Sequence, residues 1–218
     1  MVDFTPQSVT KASLTPEALH EIVSCHLGTQ RRLIEFEEMK DGFFNAAYRL
    51  TLDGEQRVVL KVAPPPDVRL LRYESGLMEA EVKAIRLVSE RTEMPVPEVL
   101  CYDPSRRFAP GEFFIMTHLP GIPLNKVRPS LEQEIQRRID HELGRLLRQV
   151  NDIHGETFGY FSDTQPRFGR WSQAFEHMLL GVLQDGQDRN IELPISYAGL
   201  QGYLTRCLPV LDEVTTPQ

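Results

Sequence analysis

The sequence predicts an α+β protein in which a small antiparallel sheet with one main helix is followed by a mostly helical part. Three features lead to this. Strand-like runs at 32–38, 46–52 and 56–62 lie close together, and Asp53-Gly54 joins the last two as a tight turn. An amphipathic stretch follows the three prolines at 64–66. After Pro120-Gly121 the apolar spacing is helical to the end of the chain.

Taken in order, the first helix is bounded by Thr15 as N-cap, Pro16 at the first helical position and Gly28 just past the end. Leu19, Ile22, Val23 and His26 share one of its faces. The three strands come next, and Pro64-Pro65-Pro66 stops the sheet. Leu77, Val82, Ile85 and Val88 then mark the apolar stripe of a helix over about 70–90. Pro95 and Pro97 introduce two more strands, at 98–102 and 112–117. Ser130 is placed to cap a long helix at 131–152, striped by Ile135, Ile139, Leu143, Leu146, Leu147 and Val150. A Gly- and aromatic-rich segment (155–171) precedes helices at 172–185 and 197–210. The expected division is a helical extension at 1–30, a sheet lobe at 31–118 and a helical lobe at 119–218.

Composition narrows the function classes. The 218 residues are 41% hydrophobic and 25% charged, an ordinary globular balance. Twenty-four basic residues against 31 acidic ones leave a net charge of −7, which argues against a broad nucleic-acid surface. Cys25, Cys101 and Cys207 form no CxxC pair, so neither a disulfide framework nor a zinc knuckle is indicated. Residues 1–14 lack the apolar core of a signal peptide, and no run approaches the roughly 20 residues that span a bilayer. The expectation is a cytoplasmic protein with neither membrane nor nucleic acid as partner.

Three features carry chemistry. Lys61 lies in Val58-Val59-Leu60-Lys61-Val62-Ala63, a run expected to be buried on both faces. A charge there needs a carboxylate or a bound anion. A phosphate-binding Lys paired with Glu74, Glu79 or Glu81 on the next helix satisfies that need, and so does a side chain that snorkels from a sheet edge. Asp41-Gly42-Phe43-Phe44-Asn45 forms the turn between the first two strands, where Gly42 lets backbone approach a phosphate. An ordinary hairpin turn has the same pattern. Phe113–Gly121 ends a strand and crosses to the helical part, and such a connector offers backbone groups to a nucleobase edge or is a plain linker. There is no GxxxxGK[ST] phosphate loop.

Together these segments resemble the aminoglycoside phosphotransferase family, the small-molecule branch of the protein-kinase-like fold. The likeness runs from about Glu35 to the end of the chain, through VVLKVAP, RYESGLMEAEVKAIRLV, MPVPEVL, FFIMTHLPGIPL and LGRLLRQVNDIHGETFGYF. It implies a kinase-like nucleotide lobe plus the first helices of the second lobe. It also implies ATP or GTP with Mg²⁺, and transfer of the γ-phosphate to a hydroxyl of a small molecule. A sugar, an aminoglycoside, a choline-like alcohol and a homoserine-like acid all fit that acceptor class.

The resemblance also implies roles. Lys61 would hold the α- and β-phosphates, with Glu81 as its partner. Gly42 and Asn45 would form the turn over the phosphates. Met116 would line the base pocket, and the Thr117 carbonyl and Leu119 N–H would receive the base edge. Glu74 and Glu79 are expected to be solvated.

The family's H-x-D-x-x-x-x-N catalytic loop has no counterpart. His154-Gly155-Glu156 has Phe161 where the Asn should stand. His20-Glu21 and His141-Glu142 lack the second His of a zinc motif, with Ser24 and Arg145 in those places. His20, Cys25 and His26 are expected on a polar helix surface. The expectation is therefore an N-terminal portion that ends before the catalytic loop and has no phosphotransfer activity by itself. Its stripe at 135–150 would be left uncovered and prone to self-association. The rival readings are a non-catalytic nucleotide-binding or regulatory module, and an interaction fold that no longer binds nucleotide.

Overall fold

A computed structural model describes residues 10–40, 42 and 44–218. Asp41 and Phe43, and the first nine residues of the expected extension, lie outside the described residues. The elements are α1 (Pro16–Leu27), β1 (Leu33–Glu38), β2 (Ala46–Leu52), β3 (Arg57–Val62), α2 (Leu77–Arg91), β4 (Val99–Asp103) and β5 (Phe113–Thr117). They are followed by α3 (Leu124–Val127), α4 (Gln133–Asn151), β6 (Phe158–Gly159), β7 (Arg167–Phe168), α5 (Trp171–Asp188) and α6 (Tyr197–Leu211). This is the expected α+β architecture.

The chain divides into two compact units. The first comprises the described residues up to Arg69, Ala84–Glu90 and Met94–Gln136, and the second comprises Leu70–Lys83, Arg91–Glu93 and Arg137–Gln218.

In the first unit, β1–β5 form one antiparallel sheet in the order β1-β2-β3-β5-β4. The register puts Lys61 opposite Ala47 on one side and Phe114 on the other. Because side chains alternate along a strand, Val58, Leu60 and Val62 share one face of β3 while Val59 and Lys61 share the other. The first face is the core. It packs with Leu50, Phe113 and Ile115 beneath Leu19, Ile22 and Val23 of α1, all essentially buried. At about 25 cal/mol per Å² of apolar surface removed from water, this cluster is the main stabilising term of the unit.

The caps of α1 are those read from its sequence. The Ala18 N–H donates to the Thr15 side chain at 3.2 Å, and Gly28 has φ of 101°. The segment before α1 is stitched to β2. The Leu14 N–H donates to the Tyr48 hydroxyl at 2.9 Å, and that hydroxyl donates to the Ala12 carbonyl at 3.3 Å. Burial pushes the Tyr48 hydroxyl above its ordinary range.

His26 departs from the expected polar surface. It is half-buried, with Nε2 2.9 Å from Asp103 Oδ2 and its ring edge-on to Phe108 and Phe113, each centroid 5.0 Å away. The i, i+3, i+4 spacing that buries Leu19, Ile22 and Val23 turns His26 toward the same sheet. The contact joins α1 to β4.

Two other differences have local causes. The helix expected from residue 70 begins only at Leu77, because a 3₁₀ turn at Arg72–Glu74 ends at Ser75 and Gly76 adopts φ of 75°. Ser130 does not cap α4. It closes a 3₁₀ turn at Arg128–Ser130, and its hydroxyl donates to the Val127 carbonyl at 2.7 Å.

In the second unit, Phe158 pairs with Phe168 across β6 and β7, and the Phe158 ring lies 5.9 Å from Trp171 on α5. Arg167 fastens this turn by donating to the Tyr160 carbonyl at 2.6 Å and the Thr157 carbonyl at 3.1 Å. Ser196 caps α6, and the Tyr197 hydroxyl donates to the Ile191 carbonyl at 2.8 Å. Gly186 leaves room for that hydroxyl, which would stand 2.6 Å from a Cβ. Along α4, Ile135, Leu143 and Leu147 are exposed.

Asp103 makes the α1–β4 contact pH-sensitive. Burial pushes its carboxyl up, but hydrogen bonds from Ser105 and His26 outweigh this and hold it below the usual carboxylate range. A lowered folded-state value stabilises the fold above the unfolded value and loses that contribution as pH falls. Urea denaturation across a pH series should therefore show stability declining below about pH 4, with a shallower decline in Asp103→Asn.

Candidate functional site

Two candidate residues of the first unit, Lys61 and Met116, lie on the sheet face opposite α1. Lys61 and Val59 point to this face from β3, and Met116 and Phe114 join them from β5 through the pairs Val59↔Met116 and Lys61↔Phe114. Lys61 is half-buried, and its Nζ stands 5.7 Å from the centroid of the Phe114 ring, within cation–π range. It stands next to the end of the central strand, not on a sheet edge. The edge-snorkelling alternative therefore does not describe it.

Gly42 and Asn45 lie in the turn that leads into β2, Gly42 exposed and Asn45 half-buried. A Cβ on Gly42 would meet only the Asn45 carbonyl, at 3.7 Å. The turn is also held from the N-terminal side, where the Thr10 hydroxyl donates to the Phe44 carbonyl at 2.8 Å.

The connector after β5 is fixed by three hydrogen bonds. The Thr117 N–H donates to the Glu98 carbonyl at 2.9 Å, and the His118 N–H donates to the Arg57 carbonyl at 3.2 Å. The Glu98 N–H donates to the Thr117 hydroxyl, Oγ1, at 2.9 Å. Leu119 follows, half exposed.

Glu81 is half-buried on α2, in the segment that belongs to the second unit. Its neighbours Glu74 and Glu79 are not solvated, contrary to expectation. Glu74 Oε2 accepts the Leu71 N–H at 2.7 Å and so caps the 3₁₀ turn. Glu79 accepts from the Ser162 hydroxyl at 3.1 Å and pairs with Lys83 at 2.9 Å. Lys83 also pairs with Asp163, whose carboxyl this contact holds below the usual range.

The second unit also holds a cleft that the sequence did not indicate, of about 300 Å³, lined by Tyr73, Ser75, Tyr160, His177, Met178 and Val182. Burial pushes the Tyr160 hydroxyl up. Arg72 borders the cleft and is tied to Asp185 and Asp188, with its N–H donating to Asp185 Oδ2 at 2.8 Å. The partners are more than a hundred residues apart in sequence, and no local pattern announces such a pair.

Among the described residues no three His, Cys, Asp or Glu side chains converge as a metal site. No described helix is long and apolar enough to cross a membrane.

The family model of the phosphotransferase enzyme family matches residues 35–215. The chain belongs to this family. Its fold is shared with a protein of Thermobifida fusca YX-ER1 assigned as a fructosamine-3-kinase, at 21% identity and a TM-score of 0.55 over 89% of this chain. A protein of Ralstonia eutropha JMP134 assigned as an aminoglycoside phosphotransferase matches at 19% identity with a TM-score of 0.36 over 50% of this chain, too low to carry weight. The chain spans 61% of the length of the first and 29% of the second. No curated protein matches significantly. The chain is thus a family member with the kinase-like α+β fold.

The α2 entry yields a stability test. Gly76 has φ of 75°, and a Cβ there would fall inside the Ser162 hydroxyl. Gly76→Ala should cost about 1–3 kcal/mol through left-handed strain and the clash together, read as a lower denaturation midpoint.

Proposed function

We propose that this chain forms the nucleotide grip of a small-molecule kinase. It would bind ATP or GTP for γ-phosphate transfer to a hydroxyl of a small molecule. The observation that carries this is a half-buried lysine on the central strand, on the face opposite the core, in a chain that belongs to the phosphotransferase family. A cation kept at that depth is suited to a polyanion.

Lys61 is assigned to the α- and β-phosphates, with Glu81 as its partner by the family motif. Gly42 and Asn45 border the phosphates, Met116 backs the base, and the Thr117 carbonyl and Leu119 N–H take its edge. Phosphoryl transfer depends on positioning and charge neutralisation, and these residues would supply positioning.

Mg²⁺ is implied by the family. The described residues offer no converging donor set for it. The chain also carries no H-x-D-x-x-x-x-N loop. That absence supports the second reading, in which these 218 residues bind nucleotide without turning it over. The exposed Ile135, Leu143 and Leu147 suit self-association. A cytoplasmic location is consistent with all of this.

Two measurements test the proposal. A nucleotide at about 100 times its dissociation constant should stabilise the chain by about 2.7 kcal/mol, visible as a melting shift that Lys61→Ala abolishes. An equal shift in both proteins would remove Lys61 from the phosphate site. Phosphotransfer assays on the 218-residue chain should show no turnover against any hydroxylated acceptor, and measurable turnover would sink the non-catalytic reading.

A further inference from the structure

The cleft of the second unit combines aromatic walls with polar tips that are not in use. It holds about 300 Å³, within the range of pockets that take small organic molecules. Tyr73 and Ser75 line it from the 3₁₀ turn and the residue after it, and Tyr160 from the residue after β6. His177, Met178 and Gly181 line it from α5, where their spacing puts them on one helix face. A Cβ at Gly181 would meet only Arg72 Cδ, at 3.9 Å, so the glycine keeps this wall open.

Three tyrosine hydroxyls elsewhere are in use. Tyr48 donates to the Ala12 carbonyl, Tyr102 to Glu112 and Tyr197 to the Ile191 carbonyl. By contrast, the Tyr73, Ser75 and Tyr160 hydroxyls and the His177 ring nitrogens have no hydrogen-bond partner among the described residues. A hydroxyl both donates and accepts, and a neutral imidazole offers one of each.

Charge adds a constraint. Arg72 borders the cleft but is already engaged. One guanidinium nitrogen is bound to Asp185, and the other stands 2.8 Å from Asp188 Oδ2. Two carboxylates thus face one guanidinium, and the local excess is negative. Burial, then Tyr73 and Asp185, push the Tyr160 hydroxyl up.

We infer that this cleft is a binding site for a small aromatic molecule that carries a hydroxyl or an amine and no negative charge. The two tyrosine rings and the Met178 thioether favour a flat ring. The unpartnered hydroxyls and the imidazole can pair with its polar substituent. The two aspartates disfavour carboxylates and phosphates, so the site does not rest on the nucleotide reading above.

The test is a ligand-observed NMR titration of the full chain with benzyl alcohol, benzylamine (a cation at neutral pH), benzoate and cyclohexylmethanol. Benzyl alcohol and benzylamine should bind saturably at about millimolar concentration, the range open to ligands of this size. Cyclohexylmethanol keeps the hydroxyl and the ring size but has no π face, and it should bind about three- to tenfold more weakly. Benzoate should bind at least about fivefold more weakly than benzyl alcohol.

Three variants locate the binding. Gly181→Leu fills the cleft with a good helix former and should weaken benzyl alcohol at least about tenfold, with the melting midpoint as the check on folding. Tyr73→Leu changes an exposed side chain and should bring benzyl alcohol down to the affinity of cyclohexylmethanol, whereas a loss of fold would weaken both. Asp188→Asn should raise the affinity for benzoate. Benzoate or cyclohexylmethanol binding as tightly as benzyl alcohol overturns the inference. So does an affinity for benzyl alcohol unmoved in both Gly181→Leu and Tyr73→Leu, or no saturable binding of it at tens of millimolar.

Discussion

A lysine on a largely buried central strand imposes a division of labour on the two faces of the sheet. Val58, Leu60 and Val62 go to one side, where α1 seals them with Leu19, Ile22 and Val23. Lys61 goes to the other with Val59, and Met116 and Phe114 stand beside them. A one-residue slip of β3 would bury the ammonium in the core and expose three apolar side chains, so the pleat itself enforces the register. The face that α1 does not cover thereby carries Lys61 beside the buried Val59 and Phe114. The Thr10 and Tyr48 hydrogen bonds show how firmly the N-terminal segment is committed to the core side and to the turn before β2.

The second unit solves a different problem, that of fixing irregular backbone around short strands and helix ends. It does so with polar side chains that share partners in small clusters. Arg167 supports the carbonyls of its own hairpin, Ser162 and Lys83 share Glu79, and Arg72 is held by two aspartates of α5. A polar group taken out of water costs least when it finds a partner, and each cluster supplies one. Gly76 and Gly186 serve the same end by leaving space for a hydroxyl where a Cβ would collide.

Much of this was legible from local pattern. The caps of α1 and the span of β2 match their sequence signals, because caps and strand alternation depend on neighbours in the chain. The helix expected from residue 70 began seven residues late, because an apolar stripe does not reveal a left-handed glycine that must accommodate Ser162. His26 was expected at a polar surface, and only its distant partners Asp103, Phe108 and Phe113 explain its burial. Glu74 and Glu79 were expected in solvent for the same reason: a cap and a cross-chain ion pair leave no periodic trace.

The sequence by itself determined the α+β class, the order of its elements, the family, and the identity of the lysine and of the connector that define the candidate grip. Those depend on periodicity, turn chemistry and motif order, all of which are local. Tertiary structure decided that Lys61 sits on the central strand facing away from the core, that Glu79 is bound to Ser162 and Lys83, and that the Thr117 hydroxyl accepts the Glu98 N–H. The physical reason is that a hydrogen bond between residues far apart in sequence exists only once the backbone has brought them together, and the choice between two acceptors on one residue is made by ångström-scale geometry that no residue pattern encodes.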